Sequence, residues 1–308
     1  MTISAKLVKD LRTKTGAAMM TCKKALQESN GDFEAALDWL KKKGAAIAAK
    51  KSGRTAAEGL VAAVVDSKAG VVIELNAETD FVARNNNFQS LVSNIAAAYL
   101  GNSNLDFEAL KQLTLESGRS VADEITHAIA TIGENMNLRR TAAVKVNKGV
   151  VCSYIHNKVS NHAGKIAVLI GLESEAPTDK LQQLGHKIAM HIAASKPDSL
   201  SVDDLDANQV ARERSIFSEQ AKESGKPENI IEKMVEGRMR KYYEEVVLLK
   251  QKFVMDPDQS IEKLVENSSK QLGADIKIAD FKLFILGDGI EQEQADFASE
   301  VSSIASSA

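Results

Sequence analysis

A chain of 308 residues with a formal charge of -3 at pH 7 has room for roughly two compact domains, and its charge balance argues against sequence-independent nucleic-acid binding by the whole chain, which needs an excess of Lys and Arg. Two cysteines, Cys22 and Cys152, with no CxxC pair, argue against both a disulfide framework and a zinc site. No apolar run reaches membrane-spanning length, and the start MTISAKLVKD lacks the basic-then-apolar order of a secretory signal, so a cytoplasmic location is expected.

The first 45 residues read as three short helices. Leu7, Val8 and Leu11 recur at helical spacing, Thr15-Gly16 breaks the pattern, and Met19, Met20, Cys22, Ala25 and Leu26 begin a second helix. After the break at Asn30-Gly31, Asp32 is an N-cap for a third helix striped by Phe33, Ala36, Leu37 and Leu40 and ending near Gly44. The segment KKKGAAIAAKKSGR at 41 to 54 reads as a solvated helical linker; the competing reading, a nucleic-acid patch, lacks an aromatic residue for stacking bases.

A strand, turn, strand and helix pattern then occurs twice. GLVAAVVDSKAGVVIEL at 59 to 75 is followed by the helix FQSLVSNIAAAYL, and GVVCSYIHNKVSNHAGKIAVLIGL at 149 to 172 by LQQLGHKIAMHIAAS. Both units begin Gly-x-Val and end in an Ala-rich helix, which favours an internal duplication of a hairpin with a covering helix. Between them, Val121, Ile125, Ala128 and Ile132 trace a helix stopped by Gly133, and TAAVKV reads as a short strand. From 207 to 251 strand-like alternation is absent. Ile231, Val235, Met239, Tyr242 and Val246 share one helical stripe, and Gly225-Lys226-Pro227 divides that helix from the one before it, giving a helical hairpin. FKLFIL at 281 to 286 is a last strand, and Phe297, Val301 and Ile304 stripe a C-terminal helix.

Catalytic and metal patterns are sparse. His186 and His191 lie five residues apart, a turn of roughly 140° on a helix, unlike the i, i+4 pair of a zinc helix. His156 and His162 have no Cys or carboxylate cluster to complete a ligand set. The phosphate-binding and nucleophile motifs GxxxxGK[ST], GxGxxG before a helix, and GxSxG are not present, so no catalytic residue and no metal ligand is assigned. The stretch NAETDFVARNN at 76 to 86 stands out instead. On one reading Phe81 and Val82 fold back onto the sheet while Asp80 caps the next turn; on the other, a carboxylate and a rigid aromatic are presented together to another protein. Composition does not choose between them.

VKDLRTKTGAAMMTCKKAL at 8 to 26, NGDFEAAL at 30 to 37, NAETDFVARNNNF at 76 to 88, IGENMNLRR at 132 to 140, HIAASKP at 191 to 197, EKMVEGRM at 232 to 239 and FVMDP at 253 to 257 resemble the signatures of the elongation factor Ts family, in that family's order and over essentially the whole chain. The resemblance implies an α+β fold: an N-terminal three-helix module similar to ubiquitin-associated domains, then a core of two related antiparallel sheet-plus-helix halves carrying an inserted coiled-coil hairpin, then a C-terminal helix. The matching divisions are 1-54, 55-140, 141-289 with the hairpin at about 200-250, and 290-308.

The activity implied is guanine-nucleotide exchange on elongation factor Tu, the GTPase that delivers aminoacyl-tRNA to the ribosome, without chemical catalysis, without a cofactor of its own, and without direct nucleic-acid or membrane contact. The same resemblance assigns partner contact to Thr79, Asp80, Phe81 and Val82, with Phe81 as a wedge near the partner's magnesium site, and to Leu11, Arg12, Met19, Met20 and His156. For Leu11 the competing role is the core of its own module. Two adjacent Met residues cannot both face inward on a helix. The alternative function is a holding or chaperone-like module for the same GTPase. The sequence leaves the stoichiometry of the complex open.

Overall fold

The computed structural model describes residues 3–291; the helix expected around Phe297, Val301 and Ile304 lies outside them. Three helices open the chain: α1 (Ala5–Thr15), α2 (Met19–Glu28) and α3 (Phe33–Lys51). Ser4 caps α1 by accepting the Leu7 N–H, Gly16 ends it at a φ of 66°, and Asp32 caps α3 by accepting from Ala35 N–H. Their apolar stripes meet at Leu11, Cys22, Ala25, Leu26 and Ala36, all fully buried.

One expectation fails here. The third helix runs past Gly44 to Lys51, because the missing side chain is used for packing: a Cβ on Gly44 would sit 3.4 Å from the Cβ of Ala130. A glycine inside a helix costs about 1 kcal/mol relative to alanine, and close approach to a second helix offsets that cost. The basic segment is helical as far as Lys51, with Lys41, Lys42 and Lys50 in solvent, and its other side docks on α7 (Val121–Ile132).

The core follows in chain order as β1 (Glu58–Asp66), β2 (Ala69–Ala77), α4 (Asp80–Ala83), α5 (Asn86–Gly101), α6 (Phe107–Gln112), α7 (Val121–Ile132) and β3 (Met136–Lys145). Next come β4 (Gly149–His156), β5 (Ala163–Gly164), β6 (Ile166–Ser174), α8 (Thr178–Ser195), α9 (Ala207–Lys222), α10 (Glu228–Val246), β7 (Lys252–Phe253), β8 (Asp256–Ser260), α11 (Ile261–Leu272) and β9 (Ile276–Ile285). One antiparallel sheet has the order β3-β2-β1-β5, a second β4-β6-β9, and β7 pairs with β8.

The two large sheets stack face to face. Val61, Ala63, Val72 and Val144 from the first meet Val151, Ala167, Leu169 and Phe284 from the second in one apolar layer. Helices α5 and α7 cover the other face of the first sheet, and α8 and α11 that of the second. Burial on both faces explains why β2 and β6 read as continuous apolar runs rather than alternating ones. Glycine permits the close approach of the sheets: a Cβ on Gly70 would meet Val151 at 2.8 Å, and one on Gly171 would meet Val144 and Val146 at 2.9 Å.

The duplication extends further than its two hairpins. Gly59 and Gly149 open the two copies at φ 119° and 122°, where any side chain would strike the carbonyl oxygens of Leu75 and Leu172. The middle strand of each sheet carries a register shift beside those residues. Each copy then has a 12-residue helix, α7 or α11, with a serine N-cap and a left-handed glycine at its end, leading into the strand that pairs with the middle strand. The second copy carries the hairpin α9–α10 between α8 and α11.

That hairpin has its own apolar seam of Ala221, Val235 and Met239, with Gly225 at its turn. The strand expected from TAAVKV begins earlier, at Met136, so a division at 140/141 falls inside β3, which pairs with β2 from Met136 to Lys145 around a register shift at Arg139. The last strand also begins earlier than FKLFIL, at Ile276.

A buried carboxylate joins the halves. Glu74 on β2 is fully buried and accepts from Arg139 at 3.2 Å, Arg140 at 2.5 Å, Asn76 at 3.1 Å and the Gly287 N–H at 2.9 Å. Burial pushes its carboxyl upward, but the Gly287 N–H, the Arg140 guanidinium and Asn76 outweigh burial and hold it below the usual carboxylate value. Arg140 also donates to the Ile285 carbonyl, so the first sheet is tied to the chain leaving β9.

Candidate functional site

The turn that carries Asp80 and Phe81 is α4, a single helical turn of four residues between β2 and α5. So short a helix does not stabilise itself, because nucleation fixes several torsions for the first hydrogen bond. Its neighbours hold it. Val82 and Ala83 are buried against the first sheet and α5, Gln89 donates its side-chain amide to the Ala83 carbonyl at 3.1 Å, and Asn85 caps α5 by accepting from the Asn87 and Phe88 N–H groups.

At the N-terminal end of α4, Thr79 gives its backbone N–H and its hydroxyl to the two carboxylate oxygens of Glu134, at 3.0 and 2.8 Å. Beside it Glu78 accepts the Asn135 N–H at 2.5 Å and pairs with Arg54 at 3.4 Å. Inward anchors at 82 and 83 force the helical neighbour at 81 outward. Phe81 is 77% exposed and Val82 is 4% exposed. The two readings of this stretch are thus divided residue by residue: Val82 folds back onto the sheet and Phe81 does not. Asp80 does not cap the next turn. Its carboxylate pairs with Arg84 at 3.1 Å, one turn along and largely in solvent, a pair worth roughly 0.3–0.5 kcal/mol.

The other expected contact residues lie on separate elements. Met19 and Met20 begin α2 and are 55% and 72% exposed, and Arg12 is exposed on α1. Leu11, by contrast, is fully inside the module with Cys22 and Leu26, so its side chain serves that core. His156 ends β4, exposed, with its Nδ1 3.1 Å from the Tyr154 hydroxyl. Glu134 and Glu78 were not singled out from the sequence, although Glu134 lies within IGENMNLRR; their partners are 55 and 57 residues away, and no local pattern signals such a pairing.

His186 and His191 do not converge. The first packs edge-on to Tyr154 at 5.6 Å. The second is fully buried, bonded to Gln251 at 2.9 Å, and its Nδ1 accepts the Val254 N–H at 3.3 Å. Among the described residues no group of three or more His, Cys, Asp or Glu side chains is placed to hold a metal ion, and no helix is long and apolar enough to cross a membrane.

A mixed helix and antiparallel-sheet scaffold that holds an aromatic ring in solvent, on a turn fixed from both ends, has the build of a protein-binding factor: rigid aromatic anchors dominate interface energetics. The family model described as Elongation factor TS matches residues 78–288. The chain is 55% identical to elongation factor Ts of Rhodospirillum centenum over 98% of its own length and 99% of that protein's. To elongation factor Ts of Rhodospirillum rubrum it is 56% identical, over 97% of each chain, and to that of Maricaulis maris 54%, again over 97% of each. The chain belongs to the elongation factor Ts family, a family of translation elongation factors.

Proposed function

We propose that this protein binds elongation factor Tu in its GDP form and promotes GDP release by inserting Phe81 near the magnesium and phosphate site of the GTPase, after which GTP rebinds by mass action. The observation that carries this reading is the exposed Phe81 ring on a turn whose next two residues are buried and whose N-cap residue, Thr79, is pinned by Glu134. A GTPase holds GDP through backbone amides at a helix N-terminus and through a magnesium ion. An exchanger has to bind the nucleotide-free or distorted state better than the loaded one, and by linkage GDP weakens the exchanger as much as the exchanger weakens GDP. Inverting a 99:1 population takes about 5.5 kcal/mol of differential binding, and a wedge needs both area and stiffness to supply a large share of that. An aromatic ring has both.

Asp80, paired with Arg84 in the free protein, is available to orient the wedge or to engage a partner group once that weak pair opens. Arg12, Met19 and Met20 on the N-terminal module, which we read as ubiquitin-associated-like, supply a second contact, and His156 on the second half a third. Leu11 acts by shaping the module rather than by touching the partner. The α9–α10 hairpin is read as a coiled coil, and we divide the core halves in the loop after Lys145. On this reading the factor works in the cytoplasm, carries no cofactor of its own and catalyses no covalent step.

The test is release of fluorescent GDP from the cognate elongation factor Tu with magnesium present. Wild type accelerates release, and Phe81→Ala loses the acceleration while still binding. Binding by wild type without acceleration would instead support a holding module.

A further inference from the structure

We propose that Glu134 is a positioning residue for exchange: its carboxylate fixes the start of α4 through Thr79 and so sets where Phe81 points. This rests on the reading of Phe81 as the wedge.

Thr79 is the N-cap residue of α4, yet its hydroxyl makes no cap bond. The hydroxyl is spent sideways on Glu134 Oε1, while the N–H is spent on Oε2. One carboxylate therefore holds two donors of a single residue, which fixes orientation as well as distance, as a bidentate pair does. Glu134 is itself fixed. It follows Gly133, the left-handed end of α7 at φ 92°, and precedes Asn135, which is buried and gives its N–H to Glu78. Residues 78–79 and 134–135 are thus stapled by crossed contacts, each side supplying one carboxylate.

The same staple reaches the N-terminal module. Lys51 at the end of α3 donates to the Gly133 carbonyl at 2.5 Å, the Asn135 side-chain amide donates to the Arg54 carbonyl at 2.7 Å, and Arg54 returns to Glu78. The loop bearing Phe81 and the helix bearing the module are anchored to the same three residues, 133 to 135. In a one-turn helix with no internal stability, loss of that anchor lets Phe81 sample directions that do not fit the partner. Binding through other contacts persists, and the step that needs the ring in place slows.

The experiment measures the maximal GDP release rate and the half-saturating concentration of elongation factor Tu-GDP for wild type, Phe81→Ala, Thr79→Ser, Thr79→Val, Glu134→Ala and the double variant Thr79→Val/Glu134→Ala. Amide hydrogen exchange over residues 79–83 is followed in the same free proteins. Thr79→Ser keeps both donors and is expected to stay closer to wild type than Thr79→Val. Thr79→Val removes one of the two bonds and Glu134→Ala removes both; each is expected to lower the maximal rate, Glu134→Ala roughly tenfold, with half-saturation moved less than about twofold and α4 amides exchanging faster. The double variant is expected to be no slower than Glu134→Ala, because both changes break one interaction. A Glu134→Ala protein with a wild-type maximal rate, losses that multiply in the double variant, or Thr79→Ser as impaired as Thr79→Val would each overturn the assignment. If Phe81→Ala keeps full exchange, the wedge reading itself fails; the α4 amides then decide Glu134 alone, and unchanged amide exchange in Glu134→Ala overturns its positioning role.

Discussion

Adjacent residues on α4 are expected to separate function from stability. A phenylalanine side chain carries about 200 Å² of surface, and Phe81 leaves 77% of its area in solvent, so about 150 Å² awaits a partner. At about 25 cal/mol per Å² that is about 4 kcal/mol, or up to a thousandfold in rate if the ring is buried only in the nucleotide-releasing state. The part already buried in the free protein is worth only about 1 kcal/mol by the same measure. Val82 is the reverse case: with 4% exposed, its truncation to alanine removes two buried carbons and costs about 2 kcal/mol with the cavity included, a fall in melting temperature of roughly 3 °C for a chain of this size.

Phe81→Ala should therefore melt within about 2 °C of wild type and lose most of its acceleration of GDP release. Val82→Ala should melt lower and keep exchange within a few-fold. Thermal melts by circular dichroism and stopped-flow release of fluorescent GDP measure the two effects. A Phe81→Ala protein that melts well below Val82→Ala, or one that releases GDP at the wild-type rate, would refute the division of labour argued from the outward ring.

Glu74→Ala strands Arg139 and Arg140 beside a vacated buried site and is expected to cost about 3–5 kcal/mol in denaturant unfolding. Since the Glu74 carboxyl is held below its usual 4.5, its contribution is fully present above that pH and is lost as pH falls through the folded value; the variant's stability should fall less steeply in that acid range. Burial holds the His191 imidazole below its usual 6.5, so the unfolded chain takes up the proton first. Stability is full above about pH 6.5 and declines below it by at most about 1.4 kcal/mol per unit from this residue, and His191→Gln should flatten that slope in urea melts. The Cys152 thiol is pushed up to about 11 by burial, and Cys22 is buried as well; neither should react with an aromatic disulfide reagent at neutral pH until urea unfolds the chain.

Much of this architecture is legible in the sequence because it is set by short-range physics. Helical stripes, the serine and aspartate caps, and stops such as Gly16 and Gly133 depend on residues within a turn of one another, and the two Gly-x-Val hairpins announce the duplication. The fourth shared element, α11, is also written locally, in the Ser260 cap, the stripe of Ile261, Leu264, Val265 and Leu272, and the Gly273 stop, although the reading of the sequence passed over it. Gly44 looked like a stop because propensity counts only the local cost, and Ala130 lies 86 residues away. Leu11 and Phe81 both match expected contacts, but whether an apolar side chain points into a core or out to a partner depends on which elements pack behind it. Glu134 is the sharpest case: nothing in the sequence near it says that its two oxygens meet Thr79. The sequence by itself determined the periodicity, the caps, the repeat and the family, since each is written in neighbouring residues. The tertiary structure decided which of those residues face outward and what holds them there, since packing and hydrogen bonding join groups that the chain order keeps apart.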